Sequence, residues 1–470
     1  MVNRPQLTAY ERNAPDPRVV GAALEPSRHS VFWIEDAGRD DSCTPLSQTA
    51  HADLVIVGGG YLGLWTALLA QRRNPGQRIM VLEAHRVGWA ASGRNGGFCE
   101  ASITHGEENG RARWPEEYEK LSRLGANNLD DFEKDVHDLG LDCNWERTGT
   151  LHVAVEEHEL QWLGADQLDR QAVREVVNSP LFVGGTRHLD ECALVHPARL
   201  AIELARVTRE HGVEIHEHSA VTGLSGGRGG RVRVETAGAV VTADRVVLAT
   251  NVFPSLLRRN RLMTVPVYDY VLMTEPLADS QLAAIGWSGR EGLSDMANQF
   301  HYSRLTADNR ILYGGYDAVY HAGRKVRARY EDRPETFDCL ASHFFATFPQ
   351  LEGLTFTHRW AGAIDTCTRF AAFYGLARQG RVAYAAGFTG LGVGATRFAA
   401  NVLLDLLAGE ATERTELEMV RRRPMPFPPE PAAAVGINLA RWSLNRADHR
   451  QGRRNLFLRA LDAVGLGFDS

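Results

Sequence analysis

DLVIVGGGYLG, at residues 53–63, joins a short apolar run to a cluster of glycines. The apolar run is typical of a buried parallel strand. Residues 64–70 continue as an apolar helix, which Asn74, Pro75 and Gly76 bring to an end. A second strand follows at residues 78–83. This order of strand, glycine turn, helix and strand predicts a βαβ unit.

The glycines in this unit have the spacing of a dinucleotide-binding turn. Gly58 allows the tight turn, Gly60 lets the backbone approach a pyrophosphate at the helix N-terminus, and Gly63 allows close helix–strand packing. Tyr61 and Leu62 complete the motif. Glu83 lies twenty residues after Gly63, where a carboxylate accepts hydrogen bonds from ribose hydroxyls. Glu83 argues against a 2′-phosphate but is compatible with NAD and with FAD.

The next segment favours FAD. VGWAASGRNGG, at residues 87–97, provides small residues that leave room for a flat ring system and backbone N–H groups that can bind it. The candidate residues here are Gly88, Ala91, Ser92, Arg94, Asn95, Gly96 and Gly97. This pattern, an acid and a glycine followed by ASGRNGG, resembles a motif of the D-amino-acid-oxidase-like flavoproteins. That family includes glycine oxidase, sarcosine oxidase and γ-glutamylputrescine oxidase.

Two later segments extend this resemblance over about residues 50–410. LATN at residues 248–251 resembles the strand that returns to the FAD site. Residues 360–363 and 386–393 resemble the C-terminal flavin loop, followed by a helix whose N-terminus would stabilise negative charge on reduced flavin. The resemblance implies further FAD contacts at Ala84, Val221, Thr250, Asn251, Trp360, Gly362, Gly387, Thr389, Gly390, Leu391, Gly392 and Val393.

The resemblance also implies the fold. We expect an α/β protein with a Rossmann-like FAD-binding domain of the glutathione-reductase type and an interleaved α+β substrate domain on a mostly antiparallel sheet. The FAD-binding domain is predicted at residues 51–105, 190–255 and 356–410, and the substrate domain at 106–189 and 256–355. Residues 1–50 are expected to form an N-terminal arm on the surface, and residues 411–470 a C-terminal tail.

The implied activity is removal of hydride from a C–N bond of an amine or amino acid, giving an imine that hydrolyses. The substrate pocket needs to desolvate the amine, so we nominate no general base. Tyr270, His301 and Tyr302 are the candidate catalytic residues of an amine pocket. Arg304 or Arg369 could hold a carboxylate or phosphonate. Polyamine conjugates, N-methyl amino acids, D-amino acids and aminophosphonates all fit this chemistry.

Two departures from the family concern the flavin. Sarcosine-oxidase-type members use a lysine near the flavin to react with oxygen, and residues 310–315 contain none. The electron acceptor is therefore either oxygen or another carrier. Cys367 lies a few residues past the position where some relatives attach FAD, and the region around Arg94 lacks the histidine that others use. We therefore expect non-covalent FAD.

Composition limits the remaining classes. The chain has 470 residues, 44% hydrophobic and 23% charged, with a net charge of −6. These values exclude a disordered or coiled-coil chain and favour neither nucleic acid nor anionic lipid as a partner. Six dispersed cysteines indicate reduced thiols. His216 and His218 lack a third ligand, so no metal is expected. We expect a cytoplasmic protein, with the oligomeric state open.

Two other functions remain open at this point. One is an NAD-linked dehydrogenase in which the glycine loop resembles a flavin site by coincidence. The other is a flavin-binding accessory subunit of a multi-subunit dehydrogenase, without an activity of its own.

Overall fold

The computed structural model describes residues 6–38, 42–164, 166–226, 230–463 and 465–467. The strands are β1 Arg28–His29, β2 Ala50–Val57, β3 Ile79–Leu82, β4 Phe98–Glu100, β5 Thr150–Ala154, β6 Gly184–His188, β7 Cys192–Leu194, β8 Glu214–His216, β9 Val221–Gly226, β10 Val232–Thr236, β11 Val240–Leu248, β12 Thr264–Thr274, β13 Gly292–Asp295, β14 His301–Leu305, β15 Ile311–Tyr320, β16 Phe356–Cys367, β17 Phe373–Ala377 and β18 Val382–Ala386.

The α-helices are α1 Ala9–Arg12, α2 Pro17–Leu24, α3 Phe32–Ala37, α4 Tyr61–Arg73, α5 Gly106–Arg113, α6 Tyr118–Asp138, α7 Arg170–Val176, α8 Pro197–Glu210, α9 Asp279–Ile285, α10 Pro334–Thr347, α11 Ala395–Ala408, α12 Glu413–Glu416, α13 Glu418–Arg421, α14 Ala432–Asp448 and α15 Leu456–Ala463. Short 3-10 helices lie at Ala91–Gly93, Glu157–Trp162, Arg258–Asn260, Ala328–Tyr330 and Pro349–Leu351. None of the helices in these described ranges is both long and apolar enough to cross a lipid bilayer.

One sheet carries the predicted βαβ unit. Its strand order is β17-β18-β11-β2-β3-β8, and the five strands from β18 to β8 are parallel. Every residue of β3, and the last four of β2, are buried, which is the pattern of strands covered by helices on both faces. Helix α4 packs between α8 and α11 on one of these faces.

The second sheet has the order β1-β16-β12-β15-β14-β13-β5-β6. It is mostly antiparallel, with parallel pairing at β1–β16 and β13–β5. Helix α10 packs on β12 and β15, so that the back of this sheet forms a separate apolar core. The predicted fold class, a Rossmann-like FAD-binding domain interleaved with an antiparallel substrate domain, is confirmed.

Two segments belong to a different part of the fold from the domain predicted for them. Strand β16 begins at Phe356 but pairs with β12 along almost its whole length, so it belongs to the antiparallel sheet. Helix α6 lies within the predicted substrate segment, yet Leu121, Leu129 and Phe132 are buried in the core that α4 and α11 share. The substrate sheet therefore extends to Cys367, and the FAD-side core includes α6.

The two ends of the chain are integrated into the fold. In the arm, β1 adds a parallel strand beside β16, and Tyr10, Phe32 and Trp33 are buried. The arm is thus part of the second sheet and its core, and not a segment laid on the surface. In the tail, α14 packs beside β15 and α15 packs on α14.

Candidate active site

A cavity of about 1830 Å³ lies between the two sheets. Most of the residues predicted to bind the cofactor line it. They are Gly58, Gly60, Tyr61, Leu62, Glu83, Ala84, Gly88, Ala91, Ser92, Arg94, Asn95, Gly96, Gly97, Val221, Thr250, Asn251, Gly362, Thr389, Gly390, Leu391, Gly392 and Val393. Three of the predicted residues do not line the cavity, namely Gly63, Trp360 and Gly387. They lie behind the residues that form its surface.

The glycine turn after β2 has the geometry that its sequence predicts. Gly58 has a φ of 115°, and a Cβ there would lie 2.4 Å from the carbonyl oxygen of Ala249. A Cβ on Gly63 would lie 1.9 Å from the carbonyl oxygen of Gly58, so this position requires glycine for helix–strand packing. Gly60 faces the cavity, and a Cβ there would lie 2.9 Å from Ser92 Oγ. The turn thus exposes backbone at the start of α4, which suits a pyrophosphate.

Glu83 follows β3 directly and lines the cavity beside the glycine turn. Its carboxylate accepts hydrogen bonds from the Gly59 N–H at 2.6 Å, the His85 N–H at 2.8 Å and Trp89 Nε1 at 3.0 Å. An ionised carboxylate has about four acceptor positions. Three of these are used by the protein, and the remaining one is available to a ribose hydroxyl.

Residues 88–97 form a loop that we call the flavin loop, because the family resemblance predicts flavin contacts there, and residues outside the cavity support it. Trp360 Nε1 donates to the Arg94 carbonyl at 2.9 Å, and Arg94 Nη1 pairs with Glu331 at 2.6 Å. Asn95 Oδ1 accepts the Gly97 N–H at 2.8 Å. Trp360 therefore supports the flavin loop from the antiparallel sheet and does not itself line the cavity.

Gly387 begins the second flavin loop. It has a φ of 79°, and its N–H donates to Asp365 Oδ2 at 2.5 Å. Burial raises the pKa of Asp365 to about 7. Residues 389–393 then line the cavity up to the start of α11. Gly387 thus fixes the path of the loop, while the residues after it provide the surface.

The other wall contains a carboxylate and a phenol in direct contact. Tyr302 on β14 donates to Asp269 Oδ2 on β12 at 2.5 Å, and both side chains line the cavity. The Tyr302 ring also packs against Gly96, where a Cβ would lie 2.8 Å from the ring. Desolvation raises the pKa of Asp269 to about 6, and both burial and the neighbouring carboxylate raise the pKa of Tyr302. Asp269 was not predicted from the sequence.

Tyr270 and His301 lie away from the cavity, contrary to the predicted amine pocket. Residues 265, 267, 269 and 271 of β12 line the cavity, so Tyr270 faces the back of the sheet, where its hydroxyl donates to the Tyr330 carbonyl at 2.7 Å. His301 is on the same back face. Its Nδ1 lies 2.6 Å from Asp295 Oδ2, and its Nε2 lies 2.9 Å from His343 Nδ1.

The two predicted substrate-binding arginines are also buried elsewhere. Arg304 shares a face of β14 with Tyr302, but it lies beneath the flavin loop and donates to the Val195 carbonyl at 2.6 Å. Burial lowers its pKa to about 10. Arg369 donates to the carbonyls of Ala371 at 3.1 Å and Arg422 at 2.8 Å. Neither guanidinium reaches the cavity, so neither can hold a substrate carboxylate in this structure.

His216 and Cys367 likewise have structural contacts. His216 Nδ1 lies 3.0 Å from the Thr44 carbonyl oxygen. Cys367 is fully buried and lies 3.2 Å from the Ala371 carbonyl oxygen. Among the described residues that line the cavity there is no cysteine and no lysine.

The C-terminal tail supplies a wall that sequence analysis did not foresee. Helix α14 turns Ala433, Ile437, Ala440, Arg441 and Leu444 towards the cavity, and Phe457 and Leu461 of α15 also line it. These positions recur every three or four residues, which is the spacing of one helix face. The same periodicity in the sequence could have identified an inward face, but not the surface it covers.

A parallel sheet with a glycine turn at the carboxyl end of a strand, closed by an antiparallel sheet, is the architecture of a dinucleotide-binding protein. The chain belongs to the DAO family of FAD dependent oxidoreductases, which matches residues 53–406. This confirms the family resemblance and FAD dependence, and the NAD-linked alternative is wrong.

Several relatives cover most of this chain. γ-Glutamylputrescine oxidoreductase of Escherichia coli (strain K12) is 30% identical over 406 residues, covering 81% of this chain and 89% of that protein. A probable oxidoreductase, OrdL, of Haemophilus influenzae is 26% identical, covering 81% of this chain and 88% of the relative. The crystal structure of glycine oxidase from Bacillus cereus ATCC 14579 shares the fold, with a TM-score of 0.64 and 20% identity, over 79% of this chain and 99% of that one.

Proposed function

We propose that this protein oxidises a C–N bond of an amine or amino acid, with non-covalent FAD as the hydride acceptor and an imine that hydrolyses as the product. The observation that carries the proposal is the Asp269–Tyr302 pair, which lies in the same cavity as the dinucleotide cradle and packs against the flavin loop at Gly96. The names of the relatives, one acting on γ-glutamylputrescine and one on glycine, support an amine or amino acid as the substrate class.

When bound, FAD would supply a two-electron acceptor for a hydride from the carbon attached to nitrogen. The residues of this chain hold the substrate for that step. The Asp269 carboxylate attracts an ammonium group, and the hydrogen bond from Tyr302 fixes the orientation of the carboxylate. Removal of the amine from water lowers the pKa of its ammonium form, so that a proton can pass to an Asp269 oxygen. The neutral amine is the form whose lone pair could make the C=N bond while hydride passes to the bound cofactor, and water would hydrolyse the resulting imine.

Non-covalent attachment is supported by the position of Cys367. Its thiol is buried behind the second flavin loop, 3.5 Å from the Gly387 carbonyl oxygen. Burial raises the pKa of the thiol, which disfavours the reactive thiolate. Denaturation of the FAD-loaded protein should release all of the flavin into the supernatant. Flavin that stays with the precipitated chain would contradict this part of the proposal.

An anaerobic amine screen tests the reaction itself. The FAD-loaded protein is mixed with N-acylated diamines, N-methyl amino acids, D-amino acids and aminophosphonates, and the flavin absorbance is followed. At least one of these classes should bleach the flavin, with formation of the matching carbonyl product. Bound flavin that no amine reduces would instead support an accessory subunit. Readmission of oxygen to the bleached enzyme, compared with an artificial carrier, then identifies the class of electron acceptor.

A further inference from the structure

The C-terminal tail differs in charge from the rest of the chain. Residues 421–470 contain nine arginines and four acidic residues, a net charge of +5, so that residues 1–420 carry −11. The value of −6 for the whole chain conceals this difference. A basic segment on an acidic protein is typical of contact with a polyanion or with an anionic membrane.

The positive charge of α14, α15 and the turn between them is only partly neutralised within the protein. Arg441 and Arg454 form ion pairs with carboxylates. Four further arginines form no ion pair with any described residue, and these are Arg446, Arg450, Arg453 and Arg459. The acidic residues of this region already have partners, since Asp462 pairs with Arg454 and Asp448 accepts the Asn298 side-chain amide at 2.7 Å. The region therefore carries positive charge that no ion pair to a described carboxylate balances.

Exposed large hydrophobic side chains are concentrated in the same tail. The described residues contain ten of them, and five lie within residues 421–470, which make up about a tenth of the chain. These five are Met425, Val435, Leu439, Trp442 and Leu456. Single exposed hydrophobic residues are normal on a protein surface, whereas a concentration of them indicates a binding surface.

Three of these side chains form one face of α14. Val435, Leu439 and Trp442 follow one another at intervals of four and three residues, and Arg446 continues the row one turn later. We call this row the outer face of α14, because the opposite side of the helix lines the cavity. Val435 is 66% and Trp442 is 54% exposed. The Arg446 guanidinium carbon lies 5.3 Å from the centre of the Trp442 ring, so the face combines apolar surface with positive charge.

We propose that the outer face of α14 binds the surface of an anionic lipid bilayer. The helix lies in the plane of the membrane, its apolar side chains enter the boundary between headgroups and acyl chains, and the unpaired arginines attract the anionic headgroups. Tryptophan is enriched at this boundary. A second copy of the chain fits the face less well, because a two-fold contact brings the same arginines together. A nucleic acid would pair with the arginines but leave the apolar row exposed to water. The proposal does not depend on the proposed reaction.

Co-sedimentation with lipid vesicles tests this proposal without a substrate. The FAD-loaded protein is mixed with vesicles of phosphatidylcholine alone and with vesicles that also contain phosphatidylglycerol. We expect the partition coefficient to be about tenfold or more higher for the anionic vesicles and to fall as salt is added, because salt screens the attraction. Trp442→Ser should lower binding to the anionic vesicles by about tenfold, and Leu439→Ser by about threefold or more, because each removes apolar surface that enters the membrane.

Leu189→Ser is the matched control, because Leu189 is an exposed leucine outside the tail. This variant should bind the vesicles as the wild type does, and the flavin-to-protein ratio checks that each variant is folded. Equal binding to neutral and anionic vesicles, binding that survives both tail substitutions, or an equal loss in Leu189→Ser would overturn the proposal. A dimer in analytical ultracentrifugation that Trp442→Ser separates would assign the face to a second copy and overturn it as well.

Discussion

A substitution of Gly60 tests whether the glycine turn binds the pyrophosphate of FAD, because it adds a side chain where the backbone now faces the cavity. The missing Cβ of Gly60 leaves backbone exposed to the cavity, with Ser92 Oγ 2.9 Å from the place where a Cβ would lie. Gly60→Val should crowd Ser92 and block the pyrophosphate, weakening FAD binding by about tenfold or more. The measurement is the flavin-to-protein ratio after purification and after reconstitution. Gly76→Val is the control, because nothing lies within 4 Å of a Cβ at that position. Stoichiometric FAD in Gly60→Val would mean that the phosphate loop is wrongly placed.

The raised pKa of Asp269 leads us to expect that the rate of flavin reduction depends on pH. The pKa of Asp269 is raised to about 6 by desolvation, and the proposed role requires the carboxylate form. The limiting rate of flavin reduction should therefore rise with pH up to about 6 and level off above it. Asp269→Asn should lower that rate by about 10²- to 10⁴-fold and remove this titration from the profile.

Other carboxylic acids that line the cavity could also titrate near pH 6, so a control must distinguish them from Asp269. Glu100 and Asp365 also line the cavity, and burial raises their pKa values to about 6 and about 7. Asp308→Asn changes an exposed carboxylate outside the cavity and should leave both rate and profile intact. A titration near pH 6 that persists in Asp269→Asn would assign it to one of the other groups.

The sequence predicts the cofactor-binding wall of the cavity better than the wall that contains Asp269 and Tyr302. Gly58, Gly60, Gly63 and Glu83 belong to a continuous motif, in which local spacing alone defines the geometry. Asp269 and Tyr302 meet across β12, β15 and β14, and no local spacing records that contact. Alternation along β12 separates Tyr270 from Asp269, but it does not tell which of the two faces points to the cofactor.

At the level of elements, β16 acts as a support for the flavin loop. Trp360 Nε1 donates to the Arg94 carbonyl at 2.9 Å, and the side chain is almost fully buried. Trp360→Phe should weaken FAD binding by about two- to tenfold, because one neutral hydrogen bond to the loop is lost. Titration of apoprotein with FAD, followed by flavin fluorescence, measures this change.

Trp33→Phe is the matched control for Trp360. Trp33 is equally buried, and its Nε1 has no hydrogen-bond partner among the described residues. Its replacement should leave the dissociation constant for FAD close to that of the wild type. Equal effects of the two substitutions would show that ring volume, and not the hydrogen bond to Arg94, controls the loop.

The placement of β16 also explains a wrong domain boundary. Trp360 and Gly362 resemble family residues near the flavin, which led to the assignment of residues 356–367 to the FAD-binding domain. The strand instead pairs with β12 in the antiparallel sheet and reaches the flavin loop from that side. The family resemblance predicts that these residues lie near the cofactor site, whereas membership of a sheet depends on long-range pairing, which the resemblance does not specify.

For the whole molecule, the tail closes the cavity and contributes little to the core. Within α14 and α15, the buried side chains are those of Ala433, Ser443, Ala447 and Leu458, whereas Leu417, Met419 and Val420 before them belong to the main core. The sequence predicts a C-terminal tail at residues 411–470, but the position of its helices depends on contacts with distant residues, such as Arg441 with Asp317. Such contacts leave no local pattern in the sequence.

Removal of residues 425–470 should therefore separate substrate selection from cofactor binding. The shortened chain keeps both sheets and every residue predicted to contact FAD, so it should bind FAD with an affinity within about threefold of the wild type. It loses the apolar wall that α14 and α15 provide, so its KM for amine substrates should rise by about tenfold or more. Trp442→Ser, a change on the exposed face of α14, should leave KM unchanged. If the shortened chain loses FAD and activity in parallel, the tail stabilises the fold and does not select the substrate.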